Sequence, residues 1–169
     1  MFRGVLEMIC LASNRGESLR TVAEVGAVPG RGLEGDRYSE GSGTWSNHPG
    51  PGKEVTLIEI EAIEAMKREA EIDLAPQSAR RNLVTRGVPL NHLVGLEFRV
   101  GEVVLRGIRL CEPCSYLEGI TQQGIKAALA HRGGLRAVIV RGGVVRTGDT
   151  VEAVTRSGGA FPTGQGTAH

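Results

Sequence analysis

Cys111-Glu112-Pro113-Cys114 is the stretch of this chain best suited to chemistry. The two thiols follow an alternating run, Val103 to Leu110, that predicts a β-strand, so both lie where the backbone turns. One other cysteine, Cys10, sits in the apolar run Met8 to Leu11, and three cysteines are too few for a disulfide framework. A cysteine reacts or ligates as its thiolate, which nearby positive charge favours. Arg106 and Arg109 lie in the preceding strand; with a period of two, Arg109 shares a face with Cys111 and Arg106 points the other way. Cys114, at the strand end beside Pro113, is the candidate reactive thiol or metal ligand. The competing reading is two small cysteines packed in a turn, because free cysteine behaves as a small hydrophobe. A structural zinc site needs four ligands, and Cys10, His48, His92 and His131 form no second spaced pair. A thioredoxin-like pair would open a helix, and Ser115 to Gly119 behind Pro113 predicts none.

Two further clusters carry charge. In Gly32-Leu33-Glu34-Gly35-Asp36-Arg37-Tyr38, glycines flank a charged pair. Backbone amides around Gly35 can approach an anion closely, and Arg37 can fork onto phosphate, with Asp36 orienting it. The alternative is a surface turn with an inconsequential Asp36–Arg37 pair. In Arg80-Arg81-Asn82-Leu83-Val84-Thr85-Arg86-Gly87, adjacent arginines enter a strand. That pattern fits a solvated edge, or an inward Arg81 that binds phosphate or a pterin-like heterocycle together with Asn82.

The elements that must position these groups are mostly short strands. Val5 to Leu11, Thr21 to Val28, Glu54 to Ile58, Asn82 to Thr85, Glu97 to Val100, Arg136 to Val140 and Thr150 to Val154 join Val103 to Leu110 as strand candidates. Gly101-Glu102 and Gly142-Gly143 predict hairpin turns. Glu59 to Glu71 predicts a helix, with Ile60, Ile63, Ala65, Met66 and Ala70 as its apolar stripe. Thr121 to His131 predicts a second helix, with Thr121 as its N-cap. Pro29 to Lys53 shows neither period, and a loop of that length is usually functional or mobile. The sum is a mainly β chain with a few helices, folded as a closed or nearly closed β-barrel over residues 1–156, with a disordered Gly-rich tail over 157–169.

Composition bounds the function. The chain has 169 residues, enough for one ordinary domain, and 25 of them are glycine, which suits many tight turns. A net charge of +1 argues against a generally basic nucleic-acid binder. No apolar run approaches the roughly 20 residues that cross a bilayer, and Glu7 interrupts the N-terminal stretch where a signal peptide needs an apolar core. These features predict a cytoplasmic protein whose thiols stay reduced.

The clusters, taken in order, resemble the MOSC domain family (the molybdenum cofactor sulfurase C-terminal domain) over roughly Gly4 to Val154. Gly35-Asp36-Arg37 is similar to the family's Gly-Asp-Arg element. Arg81-Asn82 followed by Thr85-x-Gly87 is similar to its Arg-Asn-x-x-Thr-x-Gly element. Leu96 to Gly101 is similar to the strand and turn before its thiol, Pro113-Cys114 with Leu117 to its Pro-Cys-x-x-Leu element, and Gly142-Gly143 to Gly148-Asp149-x-Val151 to its closing element. Where many members continue Gly-Asp-Arg with histidine and Gly-Gly-Pro, this chain has Tyr38 and the loop 39–52. The resemblance implies a barrel that presents Cys114 to a molybdenum cofactor of the molybdopterin type. Gly35, Asp36, Arg37, Arg81, Asn82 and Arg109 would then be cofactor contacts. It also implies either persulfide sulfur transfer or molybdenum ligation by Cys114, the latter in reduction of N-hydroxylated compounds. A non-catalytic carrier acting with a sulfur donor or redox partner protein is the alternative. Pyridoxal phosphate binding comes with the family as well.

Overall fold

The computed structural model describes residues 1–14, 16–37 and 54–155. The expectations for Tyr38, for most of the Pro29–Lys53 loop including His48, and for the 157–169 tail fall outside these residues. In chain order the strands before the first helix are β1 (Arg3–Leu11), β2 (Arg20–Val22), β3 (Glu24–Val28), β4 (Gly32–Leu33) and β5 (Val55–Glu59). Helix α1 (Ile60–Ala70) leads to β6 (Leu83–Arg86), β7 (Glu97–Val100) and β8 (Val103–Leu110). Two short helices, α2 (Ser115–Ile120) and α3 (Ile125–Ala128), precede β9 (Leu135–Arg141), β10 (Gly143–Arg146) and β11 (Thr150–Ala153).

Seven strands close a barrel in the order β1, β11, β7, β8, β9, β5, β6 and back to β1. The closing pair is antiparallel, with Arg3 opposite Glu152 and Val5 opposite Thr150. Among the described strands only β5 and β6 pair in parallel, and α1 supplies the crossover that a parallel pair requires. A second sheet, β10-β3-β4, stands beside the barrel.

Alternation along the strands sorts side chains into two cores. Ile9, Leu57 and Leu83 point into the barrel with Leu6, Phe98, Leu105 and Leu135. Their neighbours Cys10, Ile58 and Val84 point outward and pack under α1, α2 and α3 with Met66, Leu117, Ile125 and Leu129. Each fully buried Leu, Ile or Phe contributes about 1.5–3 kcal/mol to this arrangement. On α1 the buried face is Ile60, Ala62, Ile63, Ala65 and Met66; Ala70 lies in the exposed last turn, so Ala62 completes the stripe instead.

Several expected elements differ. Thr21 to Val28 is two strands that part at Ala23: β2 pairs with β1 and β3 pairs with β10. Gly142-Gly143 is no hairpin, because β9 stays in the barrel while β10 crosses to β3, with Val144 opposite Gly26. The helix expected from Thr121 starts only after Gly124, whose φ of 96° breaks the helical path. Thr121 instead ends α2, its hydroxyl donating to the Leu117 carbonyl. Among the described residues, no helix is long and apolar enough to cross a membrane.

Candidate thiol site

Strand β8 delivers the cysteines to the barrel rim. The Cys111 amide donates to the Gly134 carbonyl at 2.7 Å, the last link between the β8 and β9 chains before they separate. Three residues later the chain enters α2, with Cys114 as its N-cap at φ −123°, ψ 167°. The Cys114 carbonyl accepts the Glu118 amide at 3.2 Å, the bond that starts the helix. The pair therefore does join a strand to a helix. Gly119 sits inside that helix, and the turn is held by the outer core through Leu117, which is 2% exposed. This is a packing contribution that local propensity does not register.

The three cysteines are free and unequal. Cys10 has no exposed surface and Cys111 is 2% exposed, whereas Cys114 is half-buried against the outer core. Burial pushes the Cys10 thiol up to about 11 from an ordinary 9.0. Cys114 is thus the most accessible of the three.

Two features clamp the loop that carries Cys114. Arg81 lies buried behind it, and its guanidinium donates to three backbone carbonyls: Gly133 at 2.9 Å, Cys111 at 3.2 Å and Ala79 at 3.3 Å. Gly133 forms the floor. A Cβ there would come within 2.5 Å of the Cys111 carbonyl oxygen and 2.8 Å of Pro113 Cδ. Gly134, at φ 117°, passes so close to β5 that a Cβ would lie 2.0 Å from the Leu57 carbonyl oxygen. The doubled glycine just before a β-strand is the sequence signal for this close backbone approach. At the outer edge, Glu112 accepts the His131 amide at 3.0 Å. A cavity of about 530 Å³ opens beside Glu112 and Pro113.

Asn82 and the Gly35 turn lie deeper. Asn82 has no exposed surface. Its Oδ1 accepts the Thr56 amide at 3.1 Å and its Nδ2 donates to the Cys10 carbonyl at 3.1 Å, tying β1, β5 and β6 together. Gly35 turns the chain at φ 76° into Asp36, which is fully buried and accepts the Ala12 amide at 3.1 Å. Arg37 Nη1 donates to Asp36 at 3.3 Å, and Nη2 to the Arg80 carbonyl at 3.2 Å. Asp36 thereby holds the Arg37 guanidinium in place. Arg37 and Arg81 both bond the backbone just before Asn82, at the Arg80 and Ala79 carbonyls. Arg37, Arg81 and Asn82 are all buried, which matches the inward reading of Arg81 and not the solvated edge, and Arg37 is not on an exposed surface turn.

Arg109 is not with them. Backbone register shifts between Gly107 and Arg109, a bulge that resets the alternation. Arg109 is exposed while Cys111 is buried, so the two do not share a face. Arg106 is exposed as well and pairs with Glu97. Among the described residues no group of three or more histidine, cysteine or acidic side chains could hold a metal ion.

A sequence model of the MOSC domain matches residues 45–152, more than half of the chain. Solved structures with the same fold include the YuaD protein of Bacillus subtilis, 16% identical with a TM-score of 0.74, covering 92% of this chain and 100% of that one. YiiM from Escherichia coli is 22% identical with a TM-score of 0.64, covering 91% of this chain and 70% of its own. YiiM from Geobacillus stearothermophilus is 15% identical with a TM-score of 0.68, covering 94% and 78%. No curated protein matches the chain.

Proposed function

The chain belongs to the MOSC domain family, and from that premise we propose that it handles sulfur through Cys114. The observation that carries the reading is the contrast among the thiols: Cys114 alone is half-exposed, on a loop clamped by Arg81 and Gly133, while Cys10 and Cys111 are buried. A clamped loop holds the sulfur at a fixed place at the barrel rim. In a transfer step the Cys114 thiolate attacks the outer sulfur of a persulfide on a donor protein. A new S–S bond forms on Cys114, the donor's S–S bond breaks, and the donor leaves as a thiolate, with no net oxidation. Free cysteines and the absence of any described disulfide suit a reducing, cytoplasmic setting.

The family also suggests a molybdopterin-type cofactor, which when bound supplies redox chemistry at molybdenum. Cys114 fits as a soft thiolate ligand. Asn82 and Arg81 do not fit as contacts to its phosphate or pterin, because their polar atoms are buried and hold backbone groups.

The test is mass spectrometry and metal analysis of the protein from a molybdenum-replete host, alongside Cys114→Ser. One added sulfur atom on the Cys114 peptide, lost by cyanolysis and absent in the variant, is the expected result. Catalytic turnover by the isolated chain marks a transferase, and single loading marks a carrier. Stoichiometric molybdenum lost in Cys114→Ser, with no added sulfur, would overturn sulfur handling in favour of metal ligation.

A further inference from the structure

We infer that Arg109 and Arg136 form a binding site for a small oxyanion of the phosphate class. The observation is a break in the pattern of charges around the sheets. Elsewhere among the described strand pairs, the charged residue an arginine faces is a glutamate, and in three of four cases the two bond; the fourth, Arg3, faces the Glu152 that Arg99 bonds. Arg99 faces Glu152, Arg106 faces Glu97, and Arg146 faces Glu24. On β8 and β9 the register instead sets Arg109 directly opposite Arg136. Residues opposite each other in an antiparallel pair share a face, and like charges there repel. No carboxylate among the described residues lies within ion-pairing distance of either, and neither side chain makes a hydrogen bond.

Arg136 adds an independent sign. It is half-buried, and its Nη1 is buried without a hydrogen-bond partner. A donor shielded from water and left unmatched is unfavourable, and in native proteins it points to a missing acceptor. On its other side Arg136 faces Thr56, whose hydroxyl is already bonded to Asn82. Two arginines at opposed positions on one face can both reach one phosphate with their planar forks, and an anion between them cancels their repulsion. One residue pair, Leu110 opposite Leu135, separates them from the Cys111–Gly134 hydrogen bond, so the site lies about 7 Å along the strand from Cys111. The inference concerns binding alone and stands without the thiol chemistry proposed for Cys114.

Thermal melts and calorimetric titrations with inorganic phosphate and with ribose 5-phosphate, each against sodium chloride at equal ionic strength, test it. Both probes carry the same dianion. A preference for inorganic phosphate assigns the site to the free ion, a preference for the ester to a phosphorylated metabolite, and either sustains the proposal. The wild-type melting temperature should rise with phosphate beyond the chloride control. Arg109→Gln and Arg136→Gln should each weaken binding at least about ten-fold, as loss of a charge-assisted hydrogen bond does. Arg106→Gln, which breaks a satisfied pair, should bind as the wild type does. In phosphate-free buffer both site variants should melt no lower than the wild type, because removing one charge relieves the repulsion. No rise beyond chloride in the wild type would overturn the proposal. So would a rise that persists in both variants, or variants that melt several degrees lower without phosphate, which would make the arginines structural.

Discussion

Timed alkylation of the native protein at pH 8 should modify Cys114 well before Cys10 or Cys111. A thiol held near 11 is only about one part in a thousand thiolate at that pH, and Cys10 also lacks any route to solvent. Peptide mapping by mass spectrometry reads the order, and equal labelling of Cys10 would remove the accessibility argument. The same burial has a pH signature. The folded state keeps Cys10 protonated while the unfolded chain ionises near its ordinary value, so this contribution to stability is present below pH 9 and falls away between about 9 and 11. Cys10→Ala should flatten that alkaline decline, as followed by denaturant titration at a series of pH values. Arg81 gives a second residue-scale expectation. Arg81→Lys keeps the charge but loses a planar fork that reaches three carbonyls, so stability should drop by about 2–4 kcal/mol, seen as a lower midpoint at unchanged m-value. Cys114 should label faster in this variant, because the loop that carries it is released.

At the level of elements, the Gly133-Gly134 step is the part of the site most exposed to a single change. Gly133→Ala forces a methyl group against the Cys111 carbonyl and Pro113, and the loop must shift by about an ångström or the floor must sink. The expected cost is about 1–3 kcal/mol, with altered Cys114 labelling as a readout distinct from stability. Elements were legible where one rule decided them. Glu59 to Glu71 has one buried face, and the period of 3.6 shows it; Val103 to Leu110 was legible as a strand, though Val103, Val104 and Leu105 are buried in succession. They were illegible where tertiary contacts outweighed local pattern. Helix α2 holds through Leu117 in the outer core, β10 exists because β3 offers it an edge, and the bulge at Gly107 turns Arg109 away from the face that counting predicts. The site was legible to the same degree. Cys114, Arg81, Asn82 and Asp36 were recognisable as residues with work to do. That Arg81 and Asn82 bind backbone, and that Gly133 supports the thiol loop, depends on strands brought together from distant parts of the chain.

For the whole molecule, closure of the barrel is the decisive event. It joins residues 3–5 to 150–152, nearly the full length of the described chain. Val151 has no exposed surface and sits at that seam, between β1 and β7. Val151→Asp buries a charge without a partner and opens two strand edges. The variant should lose cooperative thermal unfolding and aggregate, as judged by calorimetry and light scattering; a two-state melt within a few degrees of the wild type would show that the seam is dispensable. Because most of the ring is non-local pairing, refolding of the wild type should be slow for its size, in the range of milliseconds to seconds.

The β1–β11 seam also means that the barrel has no natural beginning. Arg3 and Glu152 stand side by side on neighbouring strands, so the two ends of the ring leave it at the same spot. A short flexible bridge across that spot would turn the chain into a loop, and the loop could be reopened at the Gly101-Glu102 turn without breaking a strand. In such a circular permutant the thiol loop would lie close to the new N-terminus, with all seven strand neighbours retained. The order in which the polypeptide is read is separable from the wall that presents Cys114.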